Sequence, residues 1–291
     1  NHAESMLMDE IVESDAHKSL ISYQPIGVVL AVMPWNFPFW QVFRFAAPTL
    51  MVGNSGLLKH ASNVPQCAQA IEDIFKEAGF PSHSFTTLLI ASDQVEEVIK
   101  HPDVKAVTLT GSGPAGRSVA SIAGRELKKT VLELGGSDPY IILEDADIDQ
   151  AAKLCAKGRM MNAGQSCIGA KRFIAVKEVY DEFLSKFRTE MESYKFGDPM
   201  MSASTLAPMS SLSAREDLHR QVLQSITQGA HLLTGGYMPT EIEGAFYPAT
   251  ILTEVKKGNL AYSEELFGPV ASVFKVNNAD EAIKLANDTN F

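Results

Sequence analysis

The apolar positions of residues 27–134 alternate between strand-like runs and helical runs. The stretch at 27–32 is continuously apolar, as is typical of a strand buried on both faces. Strand-like runs recur at 57–58, 86–90, 104–109 and 130–134, and helical runs lie between them at 40–51, 65–79, 94–100 and 111–124. Strands that alternate with helices predict a parallel sheet wrapped by helices.

The same pattern restarts after Gly135-Gly136, which we expect to divide two domains. Asp147 has the position of a helix N-cap, with Gln150 three residues later. Helical runs cover 147–161, 180–195, 213–228 and 280–287, and strand-like runs cover 140–143, 172–176, 232–233, 247–252 and 270–276. The predicted fold class is therefore α/β, with one domain at 25–134 and a second at 135–291. Residues 1–24 carry charge, and the alternation at 19–23 predicts a strand of an arm or hairpin.

Length and composition limit the possible functions. The chain has 291 residues, 45% of them hydrophobic, which suffices for about two domains with their own cores. A formal net charge of −10 argues against a general nucleic-acid binder, and no apolar run is long enough to span a membrane. The three cysteines form neither a disulfide framework nor a zinc pattern, so we expect no metal and a reducing, cytoplasmic compartment. We also expect both ends of the chain to be cut from a longer protein.

Cys167 lies in a loop of small residues between a predicted helix and a predicted strand. Gly164 and Gly169 flank it, so a substrate carbonyl could approach the sulfur, and backbone N–H groups of the loop could bind an oxyanion. A lone cysteine is more often a buried structural residue. The neighbouring motifs favour the catalytic interpretation.

A glycine-rich turn follows one predicted strand and opens a helix. Gly111, Gly113 and Gly116 have the spacing of a dinucleotide-binding fingerprint, although Pro114 lies inside it. Glycines allow close approach of a diphosphate to the backbone, and a helix N-terminus carries partial positive charge. The turn is therefore either a diphosphate site, which would include Ser112, or an ordinary tight turn.

Glu133 ends an apolar strand-like run directly before Gly135-Gly136. A carboxylate in such a run is costly unless it faces a cavity or has a partner. It is either a surface residue on an edge strand or a general base whose pKa is tuned by a partly apolar site. Periodicity alone does not separate these two interpretations.

Six motifs together resemble those of the aldehyde dehydrogenase superfamily, in that family's order and approximate spacing. They are Pro34-Trp35-Asn36-Phe37-Pro38, Lys59, Gly111-Ser112 with Gly116, Glu133-Leu134-Gly135-Gly136, Gly164-Gln165-Ser166-Cys167 and Glu264-Glu265-Leu266-Phe267-Gly268-Pro269. The resemblance extends from about Tyr23 to the end of the chain. It implies a Rossmann-type NAD(P)-binding domain at 25–134, a catalytic domain at 135–291 and an oligomerisation arm at 1–24. A homodimer or homotetramer is the implied assembly.

The resemblance also implies oxidation of an aldehyde to a carboxylic acid. Cys167 as thiolate would attack the aldehyde, while Asn36 and the Cys167 backbone N–H would hold the oxyanion. Hydride transfer would leave a thioester, and Glu133 would activate the water that hydrolyses it. Because relatives that transfer the acyl group to coenzyme A generally lack a base at this position, Glu133 favours hydrolysis.

A nicotinamide dinucleotide, NADP or NAD, is the implied cofactor. Its contacts would come from Trp35, Lys59, Ser62, Gly111, Ser112, Gly116, Glu265 and Phe267. Ser62 lies where NAD-preferring members often place a glutamate that would repel a 2′-phosphate, so we expect NADP to be accepted alongside NAD. In the alternative interpretation Ser62 merely caps the helix that begins near Pro65. His60 would assist a phosphate only if its ring pointed inward and were protonated.

Within the superfamily the chain is most similar to bacterial NAD(P)-dependent succinate-semialdehyde dehydrogenases. These enzymes have an arginine eight residues after the motif asparagine, which implies that Arg44 binds the distal carboxylate of the substrate. Many of them carry another arginine six residues before the cysteine, where this chain has Met161, and the nearest arginine is Arg159. Other substrates, such as glutarate semialdehyde or an uncharged aldehyde, remain alternatives. A non-catalytic protein of the same fold is a further alternative, which the intact Cys167, Glu133 and Asn36 disfavour.

Overall fold

The computed structural model describes residues 2–291 and divides into two compact units, one that ends at Leu134 and one at Gly135–Phe291. The first unit contains α1 (Ala3–Met6), β1 (Glu10–Ile11), β2 (Leu20–Ile21), β3 (Val28–Met33), α2 (Pro38–Met51), β4 (Ser55–His60), α3 (Pro65–Glu77), β5 (Phe85–Thr87), α4 (Val95–Lys100), β6 (Val104–Thr110), α5 (Gly113–Arg125) and β7 (Lys129–Glu133). The second unit contains β8 (Pro139–Ile142), α6 (Ile148–Met160), β9 (Arg172–Val176), α7 (Lys177–Glu192), α8 (Leu212–Thr227), β10 (His231–Thr234), β11 (Thr250–Thr253), α9 (Leu260–Ser263), β12 (Val270–Val276) and α10 (Ala279–Asn287). The predicted α/β fold is confirmed.

In the first unit, the described residues form a parallel sheet of five strands in the order β5-β4-β3-β6-β7. Ala31 and Leu58 pack on one face of the sheet against Ile71 of α3. On the other face, Leu30 and Val107 pack against α4 and α5. Burial on both faces accounts for the continuously apolar sequence of β3. This order is that of a doubly wound nucleotide-binding sheet, in which the winding direction reverses between β3 and β6.

The second unit contains, among the described residues, a sheet of five strands in the order β10-β11-β12-β9-β8. Its strands pair in parallel except for β10, which is antiparallel to β11. The central strand β9 is fully buried, with Phe173 packed toward α6 and α7 and Ile174 on the opposite face. Because β9 and β12 are parallel neighbours with Arg172 opposite Ser272, the loops that precede these strands meet at one edge of the sheet.

Most predicted elements are present, with shifted boundaries. The predicted strand at 247–252 begins only at Thr250, because Pro248 has no N–H to donate to a sheet. The prediction that Asp147 is an N-cap is confirmed, since its carboxylate accepts a bond of 3.0 Å from the Gln150 backbone N–H. The strand predicted at 19–23 is present as β2, which pairs with β1 in antiparallel fashion. The four-residue helix α1 has no counterpart in the sequence prediction.

The loop before β9 and the loop before β12 approach most closely at Gly164. This glycine has φ of +72°, in the left-handed region, and the two residues before it, Asn162 and Ala163, both have φ of 52°. A Cβ atom on Gly164 would overlap the carbonyl group of Gly268. Glycine is therefore required here both for its backbone conformation and for the close approach of a second backbone.

Gly164→Ala is expected to lower the free energy of unfolding by about 1–3 kcal/mol, because the substitution adds left-handed strain and forces the two loops apart. The measurement is urea unfolding of the second unit within the full-length protein. Gly169→Ala is the matched control, since Gly169 is outside the left-handed region and its added Cβ would lie 3.4 Å from its nearest neighbour, the Ser166 carbonyl oxygen. Equal losses in the two variants would contradict this explanation.

Candidate active site

Cys167 lies on the loop between the 3₁₀ turn Met161–Gly164 and β9. The cysteine is half-buried, whereas the next side chain, Ile168, is exposed. Cys155, by contrast, is buried in the core of the second unit, where burial raises the pKa of its thiol to about 12. Of these two cysteines, Cys167 is the one on an accessible loop, as expected for a nucleophile.

Arg159 supports this loop from inside the core. Its side chain is completely buried, and its guanidinium donates to the carbonyl oxygen of Ala170 at 3.0 Å and to the carbonyl oxygen of Gly164. Burial lowers the pKa of Arg159 to about 10, partly offset by the negative charge of Glu265. Arg159, the arginine nearest to Met161 in the sequence, therefore binds backbone carbonyl groups on both sides of Cys167.

Lys171 is a second buried cation, on the chain just past Cys167. Its ammonium donates to the carbonyl oxygens of Ser166 at 3.0 Å and Cys167 at 2.9 Å. The third contact, also at 2.9 Å, is an ion pair with Oε1 of Glu265. Burial lowers the pKa of the Lys171 ammonium, and the adjacent Glu265 carboxylate opposes that shift.

Glu265, predicted to contact the cofactor, lies in the loop before β12. Its side chain is largely buried, and its carboxylate packs so closely on Gly135 that a Cβ atom there would overlap it. The motifs around Gly135, Cys167 and Glu265 are distant in sequence, and the second unit brings them into contact through Lys171. Phe267, in the same loop as Glu265, is half-buried.

In the first unit, two of the predicted motifs flank the point where the winding of the sheet reverses. Trp35 and Asn36 follow β3, and Gly111 and Ser112 follow β6. Ligands of doubly wound sheets bind in the crevice at this position, outside the carboxyl ends of the strands. Each of the four residues is therefore placed where a dinucleotide could reach it.

The turn after β6 has a structural explanation for two of its residues. The Ser112 hydroxyl caps α5 by accepting a bond of 3.4 Å from the Ala115 N–H. A Cβ atom on Gly116 would lie 2.5 Å from Cδ2 of Leu134, so this glycine allows α5 to pack closely on the end of β7. Close helix–strand packing is also the role of the third glycine in a dinucleotide-binding fingerprint.

A cavity of about 340 Å³ lies beyond the carboxyl ends of β4 and β5. Ser62 lines it and is exposed. Val64, rather than Ser62, is the N-cap residue of α3, so the capping alternative for Ser62 is wrong. Lys59, at the end of β4, is buried, contacts the Ser92 hydroxyl at 3.5 Å and has its pKa lowered by burial.

His60 lines the same cavity, but its ring is held by the backbone. Nδ1 lies 3.2 Å from the Met33 carbonyl oxygen and 3.0 Å from the Ala61 nitrogen, and Nε2 lies 3.0 Å from the Pro38 carbonyl oxygen. Burial is the main cause of a lowered pKa for this imidazole. Because both ring nitrogens already face backbone groups and burial disfavours the charged form, the structure adds no support for a phosphate contact from His60.

Glu133 and Arg44 form an ion pair that the sequence did not predict. Oε2 of Glu133 lies 3.1 Å from a guanidinium nitrogen of Arg44, and both side chains are about half exposed. The pair lines a second cavity of about 410 Å³, whose other walls are largely apolar, such as Phe45 and Val131. An ion pair with this exposure contributes about 0–1 kcal/mol, so a competing carboxylate or a water molecule could displace either partner.

Two site residues escaped the sequence interpretation. The sequence interpretation assigned no role to Lys171 and considered Arg159 only as the arginine nearest to Met161. The available signal was a cationic residue at the edge of a fully apolar strand, since such a residue is costly to bury without partners. The sequence could not identify their partners, because Glu265 lies on a separate loop and the choice of carbonyl acceptors depends on the folded conformation of the loop around Cys167.

Between residues 2 and 291, no helix is long and apolar enough to cross a membrane. No cluster of three or more His, Cys, Asp or Glu side chains in the same range is arranged to hold a metal ion.

The chain is similar along its whole length to known proteins. It is 54% identical over 289 residues to a probable succinate-semialdehyde dehydrogenase (NADP+) of Synechocystis, covering 99% of this chain and 63% of the relative. A succinate-semialdehyde dehydrogenase (NADP+) of Mycobacterium leprae is 51% identical, with 99% of this chain and 64% of the relative covered. The solved structure of a Streptococcus pyogenes succinic semialdehyde dehydrogenase in complex with NADP+ superposes with a TM-score of 0.96 at 44% identity, covering 100% of this chain and 64% of that chain. This chain thus spans about 63% of the length of the first of these relatives.

Residues 1–291 match the family described as the aldehyde dehydrogenase family. The six motifs recognised in the sequence lie at the strand ends and loops described above. The chain belongs to the aldehyde dehydrogenase family.

Proposed function

We propose that the protein oxidises an aldehyde to a carboxylic acid with NADP or NAD, and that its substrate is succinate semialdehyde. The observation that carries this proposal is the half-buried Cys167 on a loop whose flanking carbonyls are held by two buried cations. Such a loop presents a thiol in a fixed position, as covalent catalysis requires. The similarity to relatives named succinate-semialdehyde dehydrogenase supports the choice of substrate.

The reaction begins when the Cys167 thiolate attacks the aldehyde carbon, which forms a C–S bond and places negative charge on the former carbonyl oxygen. We assign that oxygen to the Cys167 backbone N–H and the Asn36 side chain. The hydride of this adduct passes to the nicotinamide, which is the chemistry that the cofactor supplies when bound. A thioester then remains on Cys167.

Glu133 is assigned as the general base of the second step. Its carboxylate takes a proton from water while the water oxygen attacks the thioester carbon. The C–S bond breaks, the carboxylic acid leaves and Cys167 returns to the thiolate. The half-exposed Glu133 has direct access to solvent water, and the weakness of its ion pair with Arg44 allows it to move.

The cofactor is assigned to the first unit, because its strand order matches that of dinucleotide-binding sheets. The Ser112-capped start of α5 suits the diphosphate, and Lys59 with the cavity beside Ser62 suits the adenosine ribose. Ser62 carries no charge that would repel a 2′-phosphate, and the named relatives use NADP+. We therefore propose that NADP is accepted, with NAD as a second cofactor.

Residues 1–24 are proposed to serve as an oligomerisation arm in a homodimer or homotetramer. The described part of this segment contains the β1–β2 pair, on which Ile11, Leu20 and Ile21 are exposed. Apolar side chains on a short exposed strand pair are suited to burial against another copy of the chain. A reducing compartment, such as the cytoplasm, would preserve the Cys167 thiolate that the proposal needs.

The proposal is tested by NADPH and NADH formation in the full-length protein across a panel of semialdehydes and neutral aldehydes. Succinate semialdehyde is expected to have the highest kcat/KM, and Cys167→Ala should abolish turnover while cofactor still binds. Cys67→Ala is the matched control, because Cys67 is another partly buried cysteine that lies on helix α3 rather than on the loop before β9. Turnover that survives in Cys167→Ala would refute the mechanism. A higher kcat/KM for glutarate semialdehyde or for an uncharged aldehyde would show that the substrate assignment is wrong.

Arg44→Ala is expected to reduce kcat/KM for succinate semialdehyde by about tenfold or more, because a charged hydrogen bond to the distal carboxylate is lost. Butanal, of the same length without that carboxylate, should be affected little. Since the substitution also removes the partner of Glu133, the comparison should use the rate of the first turnover, which precedes the step assigned to Glu133. Equal losses with both aldehydes would show that Arg44 acts on the protein rather than on the substrate.

Ser62→Glu is expected to impair NADP use selectively, because a carboxylate in the cavity would repel the 2′-phosphate and accept hydrogen bonds from ribose hydroxyls. The measurement is kcat/KM for both cofactors. Asn63→Glu places the same charge on the next residue, which is exposed and does not line the cavity, and it should leave the cofactor ratio unchanged. A parent protein that rejects NADP, or a Ser62→Glu variant that loses both cofactors equally, would contradict the assignment of the ribose pocket.

A further inference from the structure

We infer that Lys171 is a positioning residue that directs and strengthens the Cys167 N–H as an oxyanion donor. The inference rests on the proposed function, in which this N–H faces the oxyanion. It assigns a catalytic consequence to a side chain that does not itself touch the substrate.

The direction of the N–H follows from the geometry of one peptide group. Lys171 Nζ lies 3.0 Å from the Ser166 carbonyl oxygen, and the peptide between Ser166 and Cys167 is trans. In a planar trans peptide the C=O and N–H bonds point in opposite directions. Because the carbonyl points to the buried ammonium, the Cys167 N–H points away from it.

The strength of the Cys167 N–H as a hydrogen-bond donor follows from the positive charge that lies against the carbonyl oxygen of the same peptide group. A cation bound to a carbonyl oxygen draws electron density through the amide and makes the N–H a better donor, and a hydrogen-bonded chain of this kind is strengthened cooperatively. Lys171 is only 2% exposed, so solvent screens this polarisation little. Its second carbonyl contact, with Cys167 at 2.9 Å, orients the peptide on the other side of the nucleophile.

Glu265 makes a buried ammonium tolerable at this position. Its carboxylate forms an ion pair with Lys171 at 2.9 Å, so the ammonium has one charged partner besides the two carbonyl oxygens that accept its hydrogen bonds. A buried cation with a complete set of partners avoids most of the desolvation cost. The same pair joins the nucleophile loop to the loop that carries the predicted cofactor contacts Glu265 and Phe267.

Support of the loop alone does not explain Lys171. Arg159 already holds the loop at both ends through the carbonyl groups of Gly164 and Ala170. Lys171 contacts the two carbonyls in between, which belong to Ser166 and Cys167. Its distinctive contribution is therefore to the peptides next to the sulfur.

The test compares two reactions of Cys167 in the full-length protein. Acylation by 4-nitrophenyl acetate, followed as a burst of 4-nitrophenolate, passes through an oxyanion, whereas alkylation by iodoacetamide forms a C–S bond without one. Lys171→Met is expected to slow the burst by about tenfold or more, given that loss of an oxyanion donor costs about 10²–10³-fold. The alkylation rate at its high-pH plateau should stay within about threefold of the parent, since the thiolate is then fully formed.

Arg172→Met is the matched control. Arg172 is a buried cation next in the chain that also binds backbone carbonyls, but those of Ser137, Leu285 and Ala286. The Arg172→Met substitution should lower Tm without changing the ratio of the acylation rate to the alkylation rate. Lys171→Gln, whose amide can still donate to one carbonyl, is the second variant and should show an intermediate ratio.

The outcomes separate the inference from the proposed function. An unchanged ratio in both Lys171 variants, whether both reactions slow together or neither slows, would overturn the role given to Lys171. A burst of 4-nitrophenolate that persists in the Cys167→Ala variant would instead overturn the assignment of Cys167 as the nucleophile, and the inference with it.

Discussion

The arrangement of the second unit depends on how two buried cations satisfy the backbone of one loop. Arg159 and Lys171 together engage four carbonyl groups around Cys167, and Glu265 balances the charge of Lys171. Removing Arg159 would take the donor from the carbonyls of Gly164 and Ala170, and removing Lys171 would take it from that of Cys167, whereas the Ser166 carbonyl also accepts from the Gly169 N–H at 3.3 Å. A buried carbonyl left without a partner typically costs about 1–3 kcal/mol. Hydrogen bonds from buried cations therefore help to fix the position of the thiol, in addition to apolar packing.

The topology of the two sheets explains why short motifs far apart in sequence form two groups. In the first unit, the segments after β3 and after β6 flank the reversal point of a doubly wound sheet. In the second unit, the loops before β9 and before β12 meet because these strands are parallel neighbours. Gly164 permits the close approach of the loops before β9 and β12, since any side chain there would overlap the backbone of Gly268.

Hydrophobic patterning predicted the fold well because burial on both faces of a parallel strand leaves a clear signature. The run at β3, the helix cap at Asp147 and the loop position of Cys167 could all be inferred from local sequence. The Arg44–Glu133 pair and the partners of Lys171 could not, because each depends on side chains brought together by tertiary structure. The boundary of β11 was missed because the strand propensity around Tyr247 outweighed the effect of Pro248 in that interpretation.

The resemblance supplied the roles proposed for Cys167, Glu133 and Asn36. Lys59 lies at the carboxyl end of β4 and Ser62 just beyond it, which is where ligands of doubly wound sheets generally bind. His60 is the instructive exception, since both of its ring nitrogens face backbone groups and burial lowers its pKa, and neither feature is evident from the sequence. Local geometry decides its chemistry more than residue type does.

The most direct test of the central claim is mass spectrometry of the full-length protein, acid-quenched during turnover with succinate semialdehyde and NADP. The account predicts a succinyl thioester on the peptide that contains Cys167, more abundant in Glu133→Gln than in the parent and released by hydroxylamine. Acylation of a different residue, or turnover without any acylated Cys167 in Glu133→Gln, would contradict it.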